Sequence, residues 1–148
     1  MLSPARLPPE ESGSSDRFRV DVPSDISLVG EIVEAVCACC FAGNTPTSRT
    51  RFRLCTVVAE AVANAMLYGN GSDPSRQVVI ELELGPHQVV IAVSDQGDGF
   101  DHQTVPFPIG DESREATRGR GLFMIHRLAD HVSFNDRGNT IWMTLPRH

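Results

Sequence analysis

The spacing of hydrophobic residues along the chain predicts three helices. In the first two, apolar residues recur at intervals of three and four, so they share one helix face and can pack in a core. Ser24 is the expected N-cap of the first helix, and Gly43 begins the segment that ends it. The second helix is predicted from about Ser48 to Tyr68, and the third from about Leu122 to Asp130. The two apolar stripes are Ile26, Val29, Val33, Val36, Cys37 and Cys40, and Leu54, Val57, Val58, Ala61, Val62 and Ala65.

Alternation of apolar and polar residues predicts the strands. A short strand spans residues 18–22, a hairpin follows over residues 78–93, and a last hairpin spans residues 132–145. The predicted order of elements is β-α-α-β-β-loop-α-β-β. This order predicts an α+β fold, a two-layer α/β sandwich in which helices cover one face of a mixed, mainly antiparallel sheet.

The composition is that of one globular domain. A chain of 148 residues can bury one core, and 41% hydrophobic and 22% charged residues are ordinary values. Residues 1–16 are predicted to be a disordered leader, and residues 17–148 to form the domain. No apolar run has the length of a signal peptide or of a membrane span. A cytoplasmic protein with four reduced cysteines and no membrane contact is therefore expected.

The charge of the chain limits its partners. A net charge of −6 argues against direct nucleic-acid binding, so any role in transcription should act through a protein. All thirteen basic residues are arginine. Any contact to phosphate must therefore come from arginine or from backbone N–H groups, both of which suit phosphate geometry.

Glu60 and Asn64 are the first polar pair with candidate chemistry. They lie four residues apart on the second helix, on one side and away from its core stripe. A solvated polar face is one interpretation. The functional one is that the amide oxygen binds Mg²⁺ beside phosphate oxygens, while the carboxylate accepts the proton of an attacking hydroxyl.

The segment after the predicted strand that ends near Val93 combines an acid with alternating glycines. Asp95 is followed by Gly97, Gly99 and Phe100. A tight acidic turn would explain the pattern. Alternatively, the glycines let the backbone approach a flat ring, and Asp95 accepts a hydrogen bond from the amine of adenine.

A second glycine segment, Arg118-Gly119-Arg120-Gly121-Leu122, precedes the third predicted helix. Glycines at a helix start let consecutive N–H groups point at an anion, with the helix dipole assisting. A plain turn into a helix is the other interpretation.

Together, the three segments resemble the GHKL family, the histidine-kinase-like ATPases. Residues 59–65 are similar to its N box, residues 95–100 to its first glycine box, and residues 119–122 to its second. Gly138-Asn139-Thr140 is similar to its closing Gly-Thr element, with an extra asparagine. Within the family, the EAVANA phrase and the short lid over residues 101–118 resemble the anti-sigma factor serine kinases of the RsbW and SpoIIAB type.

The resemblance implies a role for each matching residue in binding Mg-ATP. Asn64 would hold Mg²⁺, Asp95 would read adenine with support from Thr140, and Glu60 would be the catalytic base. Arg118 or Arg114 would reach the γ-phosphate. The remaining residues implied to bind ATP are Gly97, Gly99, Phe100, Gly119, Arg120, Gly121 and Leu122.

The resemblance also implies bacterial partner switching. The protein would phosphorylate a STAS-domain anti-anti-sigma factor on serine or threonine, sequester a sigma factor and form a homodimer. One alternative is an ATP-holding anti-sigma module that transfers no phosphate. Two others are a detached sensor histidine kinase domain, which lacks the preceding phospho-accepting helix here, and a fragment of a topoisomerase or mismatch-repair ATPase, which needs a second domain.

Overall fold

The structure, a computed structural model, describes residues 2–8, 15–99 and 114–148. These residues contain three helices, α1 Val29–Cys40, α2 Ser48–Asn64 and α3 Arg114–Leu128. They contain six strands, β1 Ala5–Leu7, β2 Asp16–Pro23, β3 Gln77–Leu84, β4 Gln88–Ser94, β5 His131–Phe134 and β6 Thr140–Pro146. A 3-10 turn, Ile26–Leu28, precedes α1, and a π-helical turn, Ala65–Gly69, extends α2. Among the helices described, none combines the length and hydrophobicity needed to cross a bilayer.

The strands form an open sheet in the order β1-β2-β3-β4-β6-β5, and every described pair is antiparallel. Its inward face carries rows of apolar residues in register. Leu82, Ile91 and Met143 form one such row across β3, β4 and β6. All three are buried, as are Val58 of α2 and Ile125 of α3, so the core lies between the sheet and one helix layer. The predicted α+β fold is confirmed.

The start of the first helix differs from the prediction. Asp25, rather than Ser24, caps the 3-10 turn by accepting a hydrogen bond from the Ser27 N–H. Ser24 is buried, and its hydroxyl donates to the carbonyl oxygen of Arg76. Most of the predicted apolar stripe of α1 is confirmed, because Val36, Cys37 and Cys40 are buried and Val29 and Val33 pack against the core. Ile26, which lies in the 3-10 turn before α1, is the exception and is 50% exposed, whereas Ile32 is buried in the core.

Two other boundaries also differ. The sequence predicted a disordered leader over residues 1–16, whereas Ala5–Leu7 pair with β2, where the Arg6 guanidinium lies 5.3 Å from the centre of the Phe18 ring. The predicted start of the third helix at Leu122 is wrong, because α3 already begins at Arg114. Gly119 and Gly121 consequently lie within this helix instead of opening it.

Candidate functional site

A cavity of about 40 Å³ lies between α2, α3 and the ends of β4 and β6. Residues that the sequence analysis singled out separately line it together: Asn64, Asp95, Gly99, Arg118, Leu122 and Thr140. They come from different parts of the chain, so only the packing of α2 and α3 on the sheet brings them to one place. Phe100 and the side chain of Arg114 lie outside the residues that the structure describes.

Asn64 ends α2 directly before the π-helical turn. Its Nδ2 atom is buried and has no hydrogen-bond partner among the described residues. Buried polar groups without partners are rare in folded proteins, and they often mark functional sites. Glu60 lies one turn earlier on the same face of α2, beside Asn64 but not in the cavity lining.

Gly121 brings α3 close to this pair. A Cβ at position 121 would lie 2.7 Å from Glu60 Oε2 and 3.1 Å from Asn64 Nδ2. The absence of a side chain therefore lets one helix pack directly on the polar face of the other. This contact explains why glycine is tolerated inside α3, where it costs about 1 kcal/mol relative to alanine.

Asp95 follows β4 and is fixed by its own loop. Its N–H donates to the carbonyl oxygen of Asn139 over 2.9 Å, and its Oδ1 accepts a hydrogen bond of 2.8 Å from the Gly97 N–H. Burial raises the pKa of the Asp95 carboxyl above its ordinary value. The Gly97 N–H and then the Arg118 and Arg76 guanidinium groups oppose that rise.

Glycine is required at three points around Asp95. A Cβ at Gly69 would overlap the Asp95 carboxylate, and one at Gly97 would overlap the carbonyl oxygen of Gly69. Gly99 has a φ of +86°, and a Cβ there would overlap the Arg137 carbonyl oxygen. The glycines of this loop thus let backbone approach backbone, as a tight turn requires.

Arg118 and its neighbours lie on the first half of α3. The Arg118 guanidinium stacks over the Tyr68 ring, 4.9 Å from its centroid. Arg120 donates to the Thr117 hydroxyl and lies outside the cavity lining. N–H groups beyond the first turn of an α-helix bond to carbonyls four residues earlier. The N–H groups of Gly119 and Gly121 are therefore engaged within α3 in this conformation.

Thr140 and its surroundings complete the site. The Thr140 hydroxyl lies 2.9 Å from the hydroxyl of Ser94. Asn139, which the sequence analysis noted only as an extra residue, donates from its side chain to the carbonyl oxygen of Gly97. Gly69 and Asn70 were missed altogether, because nothing in their local spacing separates them from an ordinary helix end.

Comparison with known proteins agrees with this arrangement. Residues 22–145 match the family model described as the histidine kinase-like ATPase domain. The chain belongs to this family. It is also 36% identical over 95 residues to proteins named serine-protein kinase RsbW from the JH9 and Newman strains of Staphylococcus aureus, covering 59% of this chain. The match spans 60% of the length of these relatives.

The family of histidine kinase-like ATPases implies the use of ATP. The described residues fit such a ligand at two points: Asp95 offers a carboxylate acceptor for the adenine base, and Asn64 offers a side-chain amide whose oxygen is of a type that binds Mg²⁺ and whose buried Nδ2 donor lacks a partner among the described residues. The cavity is too small for a nucleotide in this conformation, because its volume of about 40 Å³ is far below the ~300–1,000 Å³ of small-molecule sites. The contact of α3 with α2 at Gly121 lies beside Asn64, which lines the cavity.

Proposed function

We propose that this protein is a cytoplasmic anti-sigma factor and serine/threonine-protein kinase that binds Mg-ATP. The observation that carries the proposal is one cavity lined by Asn64 of α2, Asp95 after β4 and Arg118 of α3. The likeness to serine-protein kinases named RsbW supports the kinase activity.

The residues around the cavity form two groups: one at the end that would bind the adenine base, called the base end, and one at the end that would bind the phosphates, called the phosphate end. Asp95 would accept a hydrogen bond from the adenine amine, supported by Thr140, in a pocket shaped by Gly97, Gly99, Phe100 and Leu122. Asn64 would hold Mg²⁺ through its amide oxygen, a ligand type that this ion accepts beside phosphate oxygens.

Phosphate binding requires the first half of α3 to move from α2. This movement would open the cavity and let Arg118 exchange the Tyr68 ring for a phosphate. Unwinding of the first turns of α3 would in addition free the N–H groups of residues 119–121. A planar guanidinium suits phosphate because it donates two parallel hydrogen bonds.

Glu60 would act as the general base of the transfer. Bound Mg-ATP supplies the phosphoryl group, and transfer depends mainly on positioning and charge neutralisation. Glu60 would take the proton from a serine or threonine hydroxyl of the partner, which is the role of a general base in such a transfer. Its place one turn from Asn64 puts the base beside the metal ligand.

The substrate of the proposed kinase is a STAS-domain anti-anti-sigma factor, which competes with a sigma factor for this protein. Phosphorylation adds about two negative charges to the antagonist. Repulsion from a chain of net charge −6 would weaken that complex and leave the kinase free to hold sigma. We include a homodimer in the proposal: Trp142, 39% exposed on the outward sheet face, offers an apolar surface for a second copy.

Glu60→Gln tests the proposal. The variant should bind Mg-ATP with unchanged affinity in calorimetry, yet transfer no phosphate to the antagonist in a phosphoserine assay. Glu34→Gln, an exposed glutamate on α1, is the matched control and should remain active. An unsubstituted protein that binds ATP and antagonist without transferring phosphate would instead establish the non-catalytic anti-sigma module.

A further inference from the structure

Asn70 is a buried asparagine at the end of the helical segment formed by α2 and its π-helical turn. Its relative exposure is 2%, and its side chain makes three hydrogen bonds to other parts of the chain. Nδ2 donates to the Ser24 hydroxyl at 2.9 Å and to the Gln77 carbonyl oxygen at 3.0 Å. Oδ1 accepts from the Gln96 N–H at 2.8 Å. Three of the four hydrogen-bonding positions of the amide are thus occupied, and the donors and the acceptor on opposite sides fix its orientation.

The third of these bonds reaches the loop that carries Asp95. Gln96 lies between Asp95 and Gly97, and its backbone N–H is held by Asn70. Its side-chain Oε1 also accepts from the Gln77 N–H at 2.6 Å. Residue 96 is therefore held through both its backbone and its side chain, although its side chain is exposed.

Asn139 holds the same loop from the opposite side. Its carbonyl oxygen accepts from the Asp95 N–H, and its side chain donates to the Gly97 carbonyl oxygen at 3.3 Å. Residues 95, 96 and 97 are thus fixed between the end of the α2 segment and the turn before β6. The Asp95 carboxylate has little freedom in this arrangement, since Gly69 and Gly97 also pack against it.

We propose that Asn70 is a positioning residue that sets the Asp95 carboxylate for recognition of the 6-amino group of a purine nucleotide. This inference rests on the proposed function. Asn64 ends α2, and Asn70 directly follows the π-helical turn that extends it, so one continuous segment carries residues for both the base end and the phosphate end of the site. Selectivity for an amine over a carbonyl depends on such fixed placement of a buried acceptor.

The test compares ATP with inosine triphosphate, in which an oxygen replaces the 6-amino group. In calorimetry, Asn70→Ala should weaken ATP binding by about tenfold. The affinity for inosine triphosphate, which is lower from the start, should stay within about twofold of its value in the unsubstituted protein, so the preference for ATP over inosine triphosphate falls. Asn44→Ala is the matched control: Asn44 also donates a side-chain hydrogen bond to a backbone carbonyl, that of Arg147, far from the cavity. It should change neither affinity.

A measurement on the unsubstituted protein remains decisive even if Asn70→Ala does not fold. The Gln96 amide should exchange its hydrogen slowly, because its acceptor is buried, and rapid exchange would overturn the proposal. An equal loss of both nucleotides in Asn70→Ala would overturn it as well, since Asn70 would then be merely structural. Failure of the unsubstituted protein to bind ATP would instead refute the proposed function itself, and this inference with it.

Discussion

Replacing Asp95 by asparagine removes one negative charge from the cavity with almost no change in volume. The Gly97 N–H donates to Asp95 Oδ1 at 2.8 Å, so the amide oxygen of the variant takes this position and its NH₂ group faces the cavity. The NH₂ group would then meet the adenine amine donor to donor. Loss of a hydrogen bond to a charged group costs about 1.5–3 kcal/mol, so ATP affinity should fall by about 10- to 150-fold.

The stability of Asp95→Asn should change in the opposite direction. Burial raises the pKa of Asp95, so ionisation is less favourable in the folded than in the unfolded chain. Below the unfolded pKa of about 3.9, the carboxyl is protonated in both states and does not reduce the stability of the fold. As the pH rises from there through the pKa of the folded state, the protein loses stability, because ionisation is easier in the unfolded chain. The variant should therefore be at least as stable as the unsubstituted protein at pH ~7, with the difference vanishing below pH ~4.

Calorimetry with Mg-ATP and urea unfolding at both pH values measure the two effects. Asp98→Asn is the matched control, because Asp98 lies in the same loop but is exposed. It should bind ATP normally. Unchanged affinity in Asp95→Asn would remove Asp95 from the base pocket, and a loss of affinity accompanied by a loss of stability would show that the substitution only damages the fold.

Two further predictions concern stability. At Gly99, an added Cβ would overlap the Arg137 carbonyl oxygen and φ is positive, so Gly99→Ala should lower the free energy of urea unfolding by about 1–3 kcal/mol. In the control Gly30→Ala, the Cβ meets no atom within 4 Å, and the helix should gain up to about 1 kcal/mol; similar effects of the two substitutions would contradict the loop geometry. Burial raises the pKa of Cys37 to about 12 and also raises the pKa values of Cys39 and Cys40. Stability should therefore be complete below pH ~8.5 and fall above it, by up to about 1.4 kcal/mol per pH unit for each thiol. Because the chain has no lysine, few other groups titrate there, and Cys37→Ala should lower this slope by about 1.4 kcal/mol per pH unit in urea titrations. An unchanged slope would refute the assignment.

The sequence alone determined the features that depend on local periodicity. Alternation in β3 and β4 placed Leu82 and Ile91 inward, and the 3.6-residue period of α2 put Val58 in the core and Glu60 with Asn64 on another face. These features are readable because the neighbours that decide them lie within a few residues of chain. The motif order also indicated the family that the comparison then established.

The assembly of the site depends on how the helices pack on the sheet. A glycine-rich segment is compatible with a loop or with a helix that packs closely on another, and the contact of Gly121 with Glu60 and Asn64 selects the helix. Asn70 acquires its role through Ser24 and Gln96, which are distant in sequence. Hydrogen bonds and close approaches between remote segments depend on how helices and sheet pack, and local spacing carries no information about them.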